Sequence, residues 1–321
     1  MKSEGYMQDH ADRIHHILLR KIAGVFCLLS TFVFLLCDPV AGAPLPKAPN
    51  CPLFPATNVW NKPVDRLPVH PNSATLIRSI GLTSPLHPDF GKEPYYGIPY
   101  NVVSTATPKV TVRFDYADES DRGPYPIPAN PKREAGSDQH ILIVDRDTCT
   151  LFELYDARKV NGQWSAGSGA IWNLMSNQLR PNGWTSTDAA GLPILPGLVR
   201  FDEVAKGVMD HAIRFTAPRT RTSHIFPARH DAGESSSTSL PPMGLRIRLK
   251  ASVNISGFSP RNQVILTALK RYGMILADNG SSLFITGASN PNWNDDDLHK
   301  LARITGKDFE VVDTRKLRNG P

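Results

Sequence analysis

The chain has 321 residues, a formal net charge of +6 and 40% hydrophobic residues. That is enough for one large domain or two small ones with a buried core. The four cysteines include no CxxC spacing, which argues against a two-cysteine metal site. The positive balance fits plain solubility or an anionic polymer as partner.

In chain order, the first segment reads as a targeting signal. Arg20 and Lys21 precede an apolar run over residues 25–37 (VFCLLSTFVFLLC), and Ala41-Gly42-Ala43 supplies the small residues a signal peptidase needs. The run is shorter than the roughly 20 residues that span a bilayer, and Leu36 before Cys37 argues against a lipoprotein. The expectation is a cleaved signal peptide over 1–43, with a cut after Gly42 as the alternative because Pro44 is an awkward first residue. Residues 44–321 then form a single α+β domain of a secreted or periplasmic protein, without stable membrane insertion after cleavage. Cys27 and Cys37 leave with the signal, so Cys51 and Cys149 are expected to pair, the simplest state for a lone pair in an oxidising compartment. Such a bridge is worth about 3–5 kcal/mol in chain entropy. The net charge survives cleavage, since Lys2, Arg13, Arg20 and Lys21 are balanced by Glu4, Asp9, Asp12 and Asp38.

Residues 44–108 are proline-rich and aperiodic apart from a helical stretch at 73–80. They read as extended segments around a core, with Trp60, Tyr95, Tyr96 and Tyr100 available for packing. Residues 109–116 (KVTVRFDY) alternate as a strand. Residues 117–137 form a long Pro/Gly/charged loop, of a length usual in functional or disordered segments. It leads into the stretch that organises the chain, residues 138–155 (DQHILIVDRDTCTLFELY). Two alternating apolar runs around a polar turn predict an antiparallel hairpin with one buried face. His140, Leu142 and Val144 share a face of the first strand, and Leu151, Glu153 and Tyr155 share one of the second.

Asn161-Gly162 predicts a two-residue hairpin turn, followed by a strand over 163–174 broken by SAGSG. Residues 210–216 (DHAIRFT) form a strand, and 224–239 a second polar loop. In residues 244–250 (GLRIRLK), Leu245, Ile247 and Leu249 point inward while Arg246, Arg248 and Lys250 point outward. Ser259 and Pro260 are the N-cap and first residue of a helix that stops at Gly273. MILADNGSSLFITG predicts a hairpin, a helix starts at Asp295, and FEVVD closes the chain as a strand. The sum is a β-rich α+β fold, a mostly antiparallel sandwich or barrel with a few helices toward the C-terminus.

No GxSxG, HExxH, P-loop, GxGxxG or zinc-ribbon spacing is present. Four clusters remain. Asp138, His140 and Glu153 set a histidine beside carboxylates, as an oriented base, as metal ligands or as a satisfied core histidine. Asp188 in WTSTDAAGLPI either caps a turn or, with the indole of Trp184, suits a sugar site; Glu203 follows it. His211 lies on a strand with Arg214, and Arg229 and His230 lie in PARH, a loop not explained by packing. Arg246, Arg248 and Lys250 are a solvated strand face or the floor of a groove for an anionic chain.

The blocks DQHILIVDRDTCTLFELY, GWTSTDAAGLPILPGLVRFDEV, HAIRFT, PARH, PPMGLRIRLK and YGMILADNG resemble those of an uncharacterised family of exported bacterial proteins. The resemblance would cover most of the mature chain. It implies export and carries no activity, catalytic residue or substrate.

The leading expectation is an exported carbohydrate-active protein, a polysaccharide hydrolase or lyase using His140, Glu153, Asp188 and His230 for acid–base chemistry. Arg229, Arg246, Trp184 and His211 would bind substrate. In the lyase form, Arg229 or Arg246 neutralises a uronate carboxylate while His140 or His230 removes a proton; in the hydrolase form, two of Glu153, Asp188 and Glu203 are acid and base. The alternatives are a non-catalytic glycan- or envelope-binding protein and a metal-dependent hydrolase with Asp138, His140, His211 and His230 as ligands. No other cofactor and no nucleic acid is expected; a polysaccharide or other anionic extracellular polymer is the partner.

Overall fold

The computed structural model describes residues 41–317. The apolar run over residues 25–37, expected to be a signal, lies outside them with Cys27 and Cys37, but Gly42 belongs to the fold. Its N–H donates to Phe54 O at 3.1 Å, and its carbonyl accepts from Leu53 N at 2.9 Å. A cut after Ala43 or Gly42 would remove this pairing. No helix among the described residues is long and apolar enough to cross a membrane.

Thirteen strands among the described residues form three mixed sheets. The largest has the order β1 (His87–Asp89), β12 (Phe284–Thr286), β9 (Ile213–Ala217), β11 (Met274–Asn279), β10 (Arg246–Leu249) and β13 (Phe309–Val311). The second runs β2 (Tyr100–Val103), β4 (Ile141–Asp145), β5 (Thr150–Tyr155) and β8 (Ser168–Asn173). The third is β3 (Val112–Phe114), β7 (Gln163–Ala166) and β6 (Arg158–Val160). Antiparallel pairings outnumber parallel ones, and the sheets do not close into a barrel. Four short α-helices accompany them among the described residues: α1 (Ser73–Gly81), α2 (Phe201–Lys206), α3 (Pro260–Arg271) and α4 (Asp295–Leu298). The fold is α+β and β-rich.

The central hairpin forms as the alternation predicts, with Leu142 opposite Glu153 and Val144 opposite Leu151. Both of its faces are buried, not one. Leu142, Val144, Leu151 and Trp172 pack into the main core, and Ile141, Ile143, Phe152 and Leu154 into a second core against the three-stranded sheet. A run as continuously apolar as ILIV has that outcome: both sets of side chains find cover. Cys149, at the hairpin turn, is disulfide-bonded to Cys51, 98 positions away, tying the start of the domain to the second sheet. At Asn161-Gly162 both residues have positive φ, 49° and 82°, as a type I′ turn requires.

Two further expectations are corrected. Arg246 and Arg248 do not face water: Arg246 is 1% exposed. The proline-rich segment around residues 59–67 covers their face and brings carbonyls that need donors. Arg246 donates to Val59 O at 2.7 Å, Lys62 O at 3.1 Å and Tyr272 O at 2.8 Å. Arg248 donates to Val64 O, to Leu67 O at 2.8 Å and to Glu310. The period-two pattern holds, but its polar face is internal, and guanidinium forks serve it. Nor do β11 and β12 pair with each other. β9 lies between them, parallel to β11 and antiparallel to β12, because its own apolar residues fill the middle of the sheet.

Candidate functional site

The segment after β8 reaches the sheets through Arg180. Its guanidinium lies 5.8 Å from the Trp172 ring centre and 5.4 Å from that of Trp184. Arg180 Nε donates to Thr185 O, and its terminal nitrogens bind Asp121 and Glu119 O, each at 2.6 Å. Trp184 is thus committed to Arg180 and does not line the cleft described below. Beyond it, residues 185–191 make a tight turn. Asp188 Oδ1 accepts from Ala190 N at 2.9 Å and Leu192 N at 3.3 Å, the turn-capping use of a short acid. Gly191 closes the turn at φ +68°, where a Cβ would stand 2.5 Å from Trp184 O.

Around this turn opens a cleft of about 480 Å³. Its acids are Glu119, Asp138, Asp188 and Asp278; His140 and His230 also line it, with Tyr116 and Tyr155. Four stretches of chain therefore meet here: the long loop, the start of the central hairpin, PARH and the end of β11. Asp278 is placed by a register shift between Leu276 and Asp278 where β11 pairs with β9. Such a bulge re-aims a side chain at the end of a strand.

The lining groups differ in what they can do. His140 is 5% exposed. Its Nδ1 lies 2.6 Å from Glu134 Oε2 and its Nε2 2.9 Å from Thr187 O. Both partners are acceptors when Glu134 is ionised, an arrangement that favours a proton on each ring nitrogen. Burial by itself pushes the His140 pKa down, but the Glu134 hydrogen bond and charge, with the Thr187 carbonyl, raise it above the ordinary value. Burial pushes Glu134 up, and its bonds and attraction to His140 bring it below the ordinary value. Both ring nitrogens of His140 are engaged, and neither is free toward the cleft.

Asp188 is also spent. Its side chain is fully buried and Oδ2 pairs with Arg214 Nη2 at 3.3 Å. Burial, opposed by Arg214 and reinforced by the charge of Asp278, pushes its pKa up to about 7. Asp278 is half-buried, and burial raises its pKa despite Arg214 and donation from Asn279 N and Ala189 N. Asp278 Oδ2 accepts from Ala189 N at 3.4 Å, while His230 Nδ1 donates to Ala189 O at 2.9 Å. One peptide residue therefore carries Asp278 on its N–H and His230 on its carbonyl. With Nδ1–H so committed, the neutral ring of His230 keeps its lone pair on Nε2, and that atom makes no hydrogen bond among the described residues.

The other expected residues lie elsewhere. The Glu153 carboxylate is buried in the main core and accepts from Ile194 N, Leu195 N, Thr187 Oγ1 and Trp172 Nε1 at 2.9–3.2 Å. It holds the 185–195 segment to β5 and has no free oxygen face. Glu203 and His211 form a separate buried cluster with Arg200, at 3.2 Å each. Burial pushes Glu203 up, and the charges of Arg200 and His211 bring it below the ordinary range. Arg229 Nε donates to Arg180 O at 2.9 Å, and Arg229 does not line the cleft. Arg246 is internal to the fold. The metal alternative loses its ligand set: His140 has no free nitrogen, His211 is sealed with Glu203, and among the described residues no three His, Cys, Asp or Glu converge as a metal site.

Sequence reasoning reached Asp138, His140, Asp188 and His230 and missed Asp278, Glu119 and Glu134. The signal for Asp278 was an acid ending an apolar strand just before Asn279-Gly280. No family model, curated protein or solved structure matches this chain.

Proposed function

We propose that the protein is an acid–base hydrolase of glycans acting at this cleft, with Asp278 as general acid and His230 as general base. The observation that carries the proposal is the pair held on opposite sides of Ala189, one group raised toward a proton donor and the other left with an unengaged lone pair. Proton transfer by positioned groups of this kind accelerates a reaction about 10²–10⁴-fold each. His230 Nε2 would take a proton from water as its oxygen attacks the anomeric carbon. Asp278 would give its proton to the departing glycosidic oxygen. Tyr116 and Tyr155 at the cleft suit the apolar face of a sugar ring, and hydroxyl groups of the sugar suit Glu119 and Asp138. An acid-lined cleft in which Arg214 faces Asp188 favours hydrolysis over the lyase form, which needs a cation free to neutralise a uronate.

The test is turnover of a neutral glycan panel by Asp278→Asn and His230→Gln, made separately. Each is expected to lower kcat by at least ~100-fold with folding intact. Unchanged turnover in both would end the acid–base reading and leave a binding role.

A further inference from the structure

A second depression, about 990 Å³, is lined by cations where the first is lined by acids. Its charged lining residues are Lys47, Lys92, Lys132, Arg133, Arg200 and Asp202. Asp202 is answered by Arg200 at 3.2 Å. Lys47 and Lys132 have no ion pair among the described residues, and Lys92 has only an exposed contact to Glu93 at 3.9 Å. Arg133 donates to Ala157 O at 2.9 Å, which fixes its guanidinium without neutralising it. Three positive charges, on Lys47, Lys132 and Arg133, are therefore left to a ligand, while Lys92 stands beside Glu93 and Asp295.

The groove is also pre-shaped. Six prolines line it, namely Pro46, Pro94, Pro99, Pro128, Pro131 and Pro291, and proline fixes φ before any ligand arrives. Asn101 clamps the backbone beneath Lys132 in both directions: its Nδ2 donates to Lys132 O at 2.9 Å and its Oδ1 accepts from Lys132 N at 2.8 Å. The backbone of the hollow is thus shaped before binding, and the ordering cost is confined to the exposed cationic side chains.

We infer that this groove holds a carboxylate-bearing polysaccharide chain and anchors the protein to an acidic polymer while the cleft works on other bonds. A chain with one carboxylate per sugar can engage more than one of these cations at once. The shape favours such a chain over a membrane, because the cations line a hollow and not a flat face. It favours it over a nucleic acid, because the lining aromatics are few: Phe201 packs on Trp293 at 5.0 Å, leaving Tyr100 alone for base stacking.

The probe is polygalacturonate, with dextran as the neutral polymer and duplex DNA as the competing polyanion, in affinity electrophoresis of the purified protein. Binding to polygalacturonate is expected to weaken at least 10-fold between 50 and 300 mM salt, because exposed charges are screened over about 10 Å. The double variant Lys47→Glu, Lys132→Glu should weaken it at least 10-fold, and Arg66→Glu, Arg219→Glu, with the same charge change outside the groove, less than 2-fold. Equal loss in the two double variants, equal retention by dextran, or tighter retention by DNA would overturn the inference. Asp278→Asn should bind polygalacturonate like the parent protein, so failure of the hydrolase reading and failure of the anchor show up in different lanes.

Discussion

The acidic cleft and the basic groove share a wall, the loop over residues 117–137, which contributes Glu119 to one and Asn130, Lys132 and Arg133 to the other. They are made in opposite ways. Behind the cleft the charges of His140, Asp188 and Arg214 are internal, each matched to a named partner. In the groove the charges sit on exposed side chains above a backbone stiffened by proline and by Asn101. Changes to the wall of the cleft should therefore appear as stability and pH effects, and changes to the groove as binding effects alone.

The largest expected effect is at Glu153, the acid that binds the cleft segment to the second sheet. Glu153→Ala leaves Ile194 N, Leu195 N, Thr187 Oγ1 and Trp172 Nε1 without their acceptor. Unpaired buried donors cost about 1–3 kcal/mol each and relax in part, so a loss of about 3–5 kcal/mol is expected in urea unfolding. A loss under about 1 kcal/mol would mean that Glu153 does not hold the segment.

The Glu134–His140 pair should show in the pH dependence of stability. The lowered pKa of Glu134 contributes stability that is complete above its ordinary value of 4.5 and is lost as pH falls through the lowered one. The raised pKa of His140 contributes stability that is complete below its ordinary value of 6.5 and is lost as pH rises through the raised one. Asp188 has the opposite sign: between 3.8 and about 7 the folded state holds its proton more tightly, so stability falls as pH climbs through that range. His140→Gln, which leaves Asp188 in place, should lower Tm most between pH 4.5 and 6.5, by an amount equivalent to about 1–3 kcal/mol. The gap should narrow at higher pH; a gap independent of pH would show that His140 is not an ion-pair cation.

Much of the frame was legible because it rests on local patterns. The alternation of ILIVD against TLFELY, the Asn161-Gly162 turn and the Ser259-Pro260 helix start each determine a short piece of chain without reference to the rest. What could not be read depends on which pieces cover which. The period of two in RIRL was visible, but the proline-rich segment that turns its arginine face inward is almost two hundred positions away. The same holds for the cleft. His140 and His230 stood out as polar groups without an apolar role, yet only the fold shows that Glu134 and Thr187 commit both nitrogens of one while Ala189 leaves an atom of the other free. Asp278 was hidden because its position comes from a bulge against β9, a relation between strands that no window of the sequence contains.

The smallest expected effect sharpens the contrast most. Lys47 and Lys132 are exposed and make no ion pair among the described residues, and the hydrogen bonds to Asn101 use the backbone of Lys132, not its side chain. Replacing both by glutamate therefore removes no contact that the folded state depends on. It also relieves mutual repulsion among the groove's cations. The urea midpoint of Lys47→Glu, Lys132→Glu should then stay within about 0.5 kcal/mol of the parent protein, the usual range for surface positions, with a small gain at low salt that 0.3 M salt erases. A loss of 2 kcal/mol or more would show that these lysines support the loop shared with the cleft. The two sites would then be one structural unit, and weaker polymer binding by that variant could no longer be credited to charge alone.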